Sequence, residues 1–268
     1  MKKKVIYILS LEHSGSTVLD ILLSSHPRIV SLGEIHFVLE NKKTSIENTK
    51  DICSCLNKMN DCHFWGGYLN KYLKNNLDKS FAEKYKALLK YVNQSLGEDI
   101  IISDSSKKLS VLKQLLESDL RNEIDLRIIF LIKDVRSWAI SKKRVFLKQK
   151  RKGNFYLRHI LSWYKANRKI KDYLEAKNLK YLQIGYEELC LKQDYINDLI
   201  CDSLDIKKEK LEFAKNGKHH IAYGNRMKLK REQKLRYDYR WFSNWKVNFL
   251  TVLLPFVFFW NKKNTYSN

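Results

Sequence analysis

The chain has little proline or glycine: 2 Pro and 9 Gly in 268 residues. That excludes a flexible linker, a collagen-like repeat or a low-complexity tract. Acid is scarce too, with 29 Asp and Glu against 51 Lys and Arg, a formal net charge of +22. Such a field attracts anions, whether nucleic acid, phosphorylated cofactors, acidic polysaccharide or an anionic membrane. A lysine-rich solvated surface gives the same sum. No apolar run reaches the roughly 20 residues that span a bilayer. The run Phe249 to Trp260 contains Pro255 and lies between Lys246 and Lys262-Lys263. It suits either a last helix packed on the sheet or a peripheral contact with an anionic membrane. The N-terminal MKKKVIYILSLEHSG begins like a secretory leader, but its apolar run is shorter than the usual stretch of about 7–15 residues. Val5 to Leu9 reads better as a buried strand. The 5 cysteines of such a chain point to free thiols in a reducing, cytoplasmic setting.

What is present is an alternation of strands and helices in a single domain, residues 1–268. Strands are expected at Lys4–Ser10, Glu98–Ser103, Leu126–Lys133 and Leu179–Gly185, from β-branched and aromatic runs. Helices are expected at Thr17–Ser25, Phe81–Gln94, Leu109–Leu116, Ser137–Lys148 and Leu157–Ala176. This order predicts a three-layer α/β fold, with a mostly parallel central sheet flanked by helices. Ligands of such sheets sit at the carboxyl ends of the strands.

The first strand runs into Ser14-Gly15-Ser16-Thr17 and then a helix. Free backbone N–H groups and the helix dipole converge there, Gly15 permits close approach, and three hydroxyls can donate. An ordinary helix N-cap is the alternative. The turn is no phosphate loop of the GxxxxGK[ST] kind, because Ser16 follows Gly15 and no glycine lies five residues upstream. A terminal phosphoryl group usually needs Mg²⁺ and that loop's lysine. A sulfuryl group carries one charge and can be held by hydrogen bonds and side-chain cations. The unit therefore fits sulfuryl transfer better than phosphoryl transfer.

The stretch SLEHSGSTVLDILLSSHPRIVSLGE (10–34) resembles the 5′-phosphosulfate loop of sulfotransferases that use 3′-phosphoadenosine 5′-phosphosulfate (PAPS). It is most similar to the carbohydrate and tyrosyl-protein branch and its bacterial relatives. ISDSSKK (102–108), LIKDVRSWAIS (131–141), GYEEL (185–189) and HIAYGNRMKLKR (220–231) resemble further family motifs in the same order. The resemblance covers about residues 4–245 and implies a P-loop NTPase-like sulfotransferase fold. Two positions depart from the pattern: His13 replaces a usual Arg or Lys, and Lys133 replaces the first Arg of RDPR. Lysine supplies a point charge without the planar fork of arginine.

The resemblance implies roles. His13, Ser14, Gly15, Ser16 and Thr17 would cradle the sulfated phosphate. Lys133 and Ser141, with Arg136 near them, would hold the 3′-phosphate. Tyr186 would lie by the adenine, and Gly224, Asn225 and Arg226 would close over the nucleotide. Glu34, among apolar neighbours, would be the base and Lys107 the transition-state cation, with Lys108 as the nearby alternative. The implied donor is PAPS, the product adenosine 3′,5′-bisphosphate, and no metal is required. The acceptor is a free hydroxyl, of a carbohydrate or small molecule, with no nucleic acid partner. Its pocket is assigned to the segments 36–80 and 145–165. The rivals are a P-loop-like nucleotide kinase and a non-enzymatic basic protein on an anionic polymer or membrane. Cys53, Cys55, Cys62 and His63 form a further cluster in the sequence. Their C-x-C spacing is tighter than usual for zinc and no second pair follows, so a packing role is expected rather than a metal.

Overall fold

The computed structural model of the protein describes residues 2–40, 52–148, 155–213, 219–230 and 234–266. Five parallel strands flanked by helices form one sheet: β1 (Lys3–Ser10), β2 (Ile29–Gly33), β3 (Ile101–Lys107), β4 (Ile124–Ile132) and β5 (Tyr181–Gly185). Their order is β2-β3-β1-β4-β5. β1 lies mid-sheet and is buried along nearly all its length, which its KKVIYILS composition permits on both faces.

The chain divides into two compact units. The first comprises Met1–Leu9, Thr17–Ile128 and Glu209–Lys234. Here β3 pairs with β1 (Ile6 opposite Ser103, Tyr7 opposite Asp104) and with β2 (Val30 opposite Ile102, Ser31 opposite Ser103). Both ladders shift register near their carboxyl ends, between Tyr7 and Leu9 and between Ser31 and Gly33. The helices include α1 (Ser16–Leu23), which starts from the preceding loop, α2 (Ile35–Glu40), α3 (His63–Tyr68), α4 (Phe81–Leu96) and α5 (Leu109–Glu117). The start of α4 is fixed by a reciprocal cap: Ser80 Oγ accepts from the Glu83 N–H at 3.3 Å, and Glu83 Oε2 accepts from the Ser80 N–H at 2.9 Å. Residues 219–223 run beside β2, where His220 N–H donates to Ser31 O at 2.8 Å and Ala222 N–H to Leu32 O at 3.2 Å.

The second unit comprises Ser10–Ser16, Ile129–Lys208 and Leu235–Asn268. After the short α6 (Leu120–Glu123) of the first unit, its helices are α7 (Val135–Lys148), α8 (Phe155–Ala176), α9 (Tyr186–Leu191), α10 (Gln193–Leu204), α11 (Trp245–Val252) and α12 (Pro255–Thr265). Asp134, buried just past β4, is its polar hub. It accepts from Arg136 Nε at 2.9 Å and Nη2 at 2.7 Å, from Asn261 Nδ2 at 2.9 Å and from Tyr266 OH at 3.1 Å. Asn261 Oδ1 also accepts from the Val135 N–H at 2.9 Å, so α12 is clasped to the start of α7.

Three expectations change. The strand expected at 98–103 starts at Ile101 and extends to Lys107, so the DSSK motif is the strand's end and not a following loop. β2 went unread, because IVSLG is too short to show a period and ends in glycine. The C-terminal apolar run is two helices, broken where Pro255 opens α12 and sits at its first turn.

Candidate active site

Glu34 follows β2 and directly precedes α2. Gly33 before it has φ +78°, and a Cβ there would lie 2.6 Å from Tyr223 O and 2.7 Å from an Ile221 methyl carbon. Only glycine lets the 221–223 segment press this close. Glu34's own N–H then donates to Tyr223 O at 3.2 Å. Lys107 ends β3 in the left-handed region, φ 66°, a conformation that costs a non-glycine residue on the order of 1–2 kcal/mol. What holds it there is the preceding Asp-Ser-Ser. Asp104 Oδ1 accepts from Ser106 N–H at 2.9 Å and from its hydroxyl, and Asp104 Oδ2 accepts from Tyr85 OH at 3.1 Å. Ser106 Oγ in turn accepts from the His36 N–H in the first turn of α2, at 3.1 Å. Ser106 thus ties the end of β3 to the start of α2.

The outcome is an ion pair: Lys107 Nζ donates to Glu34 Oε1 at 2.6 Å, each side chain about 12% exposed. Glu34's immediate polar neighbour is therefore a lysine, not the purely apolar surround its sequence neighbours indicate. Desolvating two charges is expensive, so a pair of this kind is weak as a stability device. It is well suited to chemistry that needs a proton acceptor and a cation side by side. His36 is buried next to it. Burial, with the charges of Lys108 and Lys107, pushes its imidazole down to about 4. Asp104 is pushed up to about 7 by burial, and Asp20, which accepts from Ser105 Oγ at 2.8 Å, to about 6 for the same reason.

In the same unit, Thr17 Oγ1 accepts from the Asn225 N–H at 3.2 Å, and Asn225 Oδ1 caps the short turn Arg226–Leu229 through Met227 N–H at 3.0 Å. Arg226 is exposed. Lys228 is buried and donates to the carbonyls of Ile221 and Ala222, so it fastens the loop. Arg231, the last residue of the 220–231 motif, lies outside the described residues.

The second unit carries most of the residues that the resemblance assigns to donor binding. The loop before α1 has two left-handed residues, His13 (φ 67°) and Gly15 (φ 97°). A Cβ at Gly15 would come within 2.4 Å of the Tyr186 ring, so that ring lies flush against the bare backbone. The loop is held by Trp138 Nε1, which donates to Glu12 O at 2.7 Å, and by Lys142, which pairs with Glu12 at 2.9 Å. Lys133, just past β4, and Ser141 in α7 do meet: Nζ to Oγ is 3.4 Å. Between them sits a carboxylate. Asp238 Oδ2 takes Lys133 Nζ at 2.8 Å and Arg240 Nη2 at 2.6 Å, and Arg240 Nη2 also reaches Ser141 Oγ at 3.1 Å. Burial alone would raise the Asp238 carboxyl. Hydrogen bonds from Arg240 and the charge of Lys133 outweigh it and hold the carboxyl near about 2. Lys133 Nζ also stands 5.1 Å from the Tyr186 ring centroid. Arg136 spends its fork on Asp134 and stacks on Trp241, 3.5 Å from the ring centroid.

Asp238 and Arg240 escaped the sequence reading. They lie about a hundred residues past Lys133, and the basic-aromatic run YDYRW was the one available signal. Of the segments assigned to the acceptor pocket, residues 41–51 and 149–154 lie outside the described residues.

The first strand of the parallel sheet enters a glycine-bearing turn without GK[ST], and Lys133, Ser141 and Arg240 gather around the Asp238 carboxylate. The sulfotransferase family model matches residues 5–210, and the chain belongs to the sulfotransferase family. Sulfuryl transfer is the chemistry that the family assigns to it. Solved structures of similar fold include the sulfotransferase domain from the curacin biosynthetic pathway, with TM-score 0.59, 20% identity, and 94% of this chain and 98% of that one covered. The sulfotransferase domain of the Synechococcus PCC 7002 olefin synthase gives 0.53 and 18%, covering 95% of this chain and 96% of that one. A sulfotransferase from Alicyclobacillus acidocaldarius gives 0.50 and 14%, covering 100% and 98%. At these identities the likeness concerns the fold. No curated protein matches the chain significantly.

Proposed function

We propose that the chain transfers a sulfuryl group from PAPS to an acceptor hydroxyl, of a carbohydrate or small molecule. The supporting observation is the Asp238 carboxylate lodged among Lys133, Ser141 and Arg240: these groups already hold an anion, and a 3′-phosphate is the ligand they would hold in its place. The donor, when bound, supplies an activated sulfuryl group on a phosphate leaving group. Ser14, Gly15, Ser16 and Thr17, with His13 beside them, bind that end through backbone N–H and hydroxyl groups. Tyr186 flanks the nucleotide, Gly224, Asn225 and Arg226 cover it, and Arg136 keeps Asp134 and the start of α7 in place. Glu34 takes the acceptor's proton as the oxygen–sulfur bond forms, and the sulfur–oxygen bond to the leaving phosphate breaks. Lys107 offers its charge to the transferring group.

The test is binding of adenosine 3′,5′-bisphosphate against adenosine 5′-phosphate. Lys133→Ala loses a charged hydrogen bond worth roughly 1.5–3 kcal/mol, or about tenfold or more in affinity for the 3′-phosphorylated ligand only. Asp238→Asn, which removes the competing carboxylate, binds that ligand more tightly than wild type. Unchanged discrimination in both variants sinks the 3′-phosphate assignment. A thermal shift that appears only with added Mg²⁺ favours the nucleotide kinase instead.

We further propose a cytoplasmic location with a peripheral contact to an anionic membrane. Trp245, Phe249 and Val252 on α11, Leu253 just after it, and Phe256 and Phe259 on α12 are 48–69% exposed, and Lys246, Lys262 and Lys263 beside them are exposed too. No helix among the described residues is long and apolar enough to cross a membrane. Aromatic residues flanked by lysines match the interface of an anionic bilayer.

A further inference from the structure

The cysteine cluster of residues 53–62 has a fourth member that the sequence does not show. Cys53, Cys55 and Cys62 come together with His220, not His63, and their potential ligand atoms all lie within 4.8 Å of one another. Cys53 Sγ to Cys62 Sγ is 3.6 Å, Cys62 Sγ to His220 Nδ1 is 3.4 Å and Cys53 Sγ to His220 Nδ1 is 3.9 Å. A tetrahedral zinc, with bonds of about 2.3 Å to sulfur and about 2.0–2.1 Å to nitrogen, sets sulfur–sulfur edges near about 3.8 Å and sulfur–nitrogen edges near about 3.5 Å. The three observed edges fall within a few tenths of an ångström of those. A disulfide would need about 2.04 Å between sulfurs, and all three cysteines are free thiols.

We propose that Cys53, Cys55, Cys62 and His220 Nδ1 bind one structural zinc ion. Three soft thiolates and an imidazole select zinc over hard cations such as Mg²⁺ or Ca²⁺. Four protein ligands close the coordination sphere, so the ion takes no part in sulfuryl transfer. The surroundings are arranged for this. The Trp65 N–H, in the first turn of α3, points at Cys62 Sγ from 3.5 Å, and Asn57 Nδ2 at Cys55 Sγ from 3.7 Å. Leu56, at φ 69°, makes the tight reversal between the second and third ligands. The His220 ring stacks on Phe64, with centroids 5.3 Å apart, and the Trp65 indole N–H donates to the His220 carbonyl, so the ligand's ring and backbone are both fixed. His63 packs edge-on against His220, with centroids 4.4 Å apart, and is part of the shell that orients it. The ion would join the 52–62 loop to the segment that runs along β2 and abuts Gly33, and so brace the backbone that presents Glu34.

The test uses the full chain, purified under reducing conditions with no metal-affinity step, and measures bound metal by plasma mass spectrometry. One zinc per chain is expected. Cobalt substitution should give the intense visible bands of a tetrahedral thiolate site. Cys55→Ser is the main variant, because Cys55 is only partly buried and the change is small; it should retain a fold by circular dichroism while losing the cobalt–thiolate bands and most of the zinc. Cys190→Ser, outside the cluster, should keep both. Stripping zinc with a strong chelator should lower the melting temperature, and adding zinc back should restore it. Absence of bound zinc in a fully reduced, folded chain overturns the proposal. So does equal metal loss in Cys190→Ser, or a Cys53–Cys62 disulfide found by peptide mapping of the alkylated chain.

Discussion

Glu34 and Lys107 are the residues on which the proposed chemistry turns. Glu34→Gln keeps the volume and removes the proton acceptor, and general-base catalysis contributes about 10²–10⁴-fold. The variant should lose that much turnover while binding adenosine 3′,5′-bisphosphate as before. Turnover near wild type would move the base to His13 or His36. A joint loss of nucleotide binding would make Glu34 structural. A second residue-scale prediction concerns pH. Asp104 and Asp20, pushed up to about 7 and about 6 by burial, bind protons more tightly in the folded than in the unfolded chain. Their contribution to stability is full below the ordinary carboxylate value and is lost as pH rises through those values. The melting temperature should therefore fall from pH 5 to pH 8, and Asp104→Asn should flatten that slope even if its absolute stability is lower. Equal slopes in the two proteins would remove Asp104 from the account. Lys107 itself was legible as a post-strand lysine. That it reaches Glu34 was not, because the contact depends on the Ser106 bridge and a left-handed backbone at the strand's end.

Among the elements, β1, β3 and β4 were legible from their apolar β-branched runs, and α7 and α8 from their helical pattern. Boundaries moved where polar residues pack inside. β3 carries Ser103, Asp104, Ser105 and Ser106 buried among hydroxyl and carboxylate partners, and polar letters of that kind read as a loop until the partners are known. The α11–α12 pair shows the opposite case. Its inner face is fixed by Asn261 on Asp134 and by Trp260, edge-to-face on Trp163 at 5.3 Å. Its outer face leaves Phe249, Leu253 and Phe259 in water, where burying each fully would be worth roughly 1.5–3 kcal/mol. Flotation with anionic liposomes should carry the wild-type chain, and a Phe249→Ser, Leu253→Ser, Phe259→Ser variant should stay with the soluble fraction. These positions are exposed, so the substitutions should leave the melting temperature nearly unchanged. Equal flotation of the two chains rules out the membrane contact through this face.

For the whole molecule, the net charge of +22 sets the long-range behaviour. Affinity for the doubly phosphorylated nucleotide should fall as salt rises and the Debye length shrinks. If most of the excess charge is merely solvating, affinity will be flat in salt, and titration by calorimetry at two ionic strengths separates these outcomes. The sequence by itself determined the fold class, the sulfuryl-transfer chemistry and the order of the motifs. Hydrophobic period, a glycine turn and residue type are local properties written in consecutive letters. Only the tertiary structure decided which distant groups meet: Glu34 with Lys107, Asp238 and Arg240 with Lys133 and Ser141, and His220 rather than His63 with the three cysteines. Each of these pairings joins chain segments separated by tens to well over a hundred residues. Strand register, left-handed turns and buried hydrogen bonds fix them, and no local pattern encodes that closure.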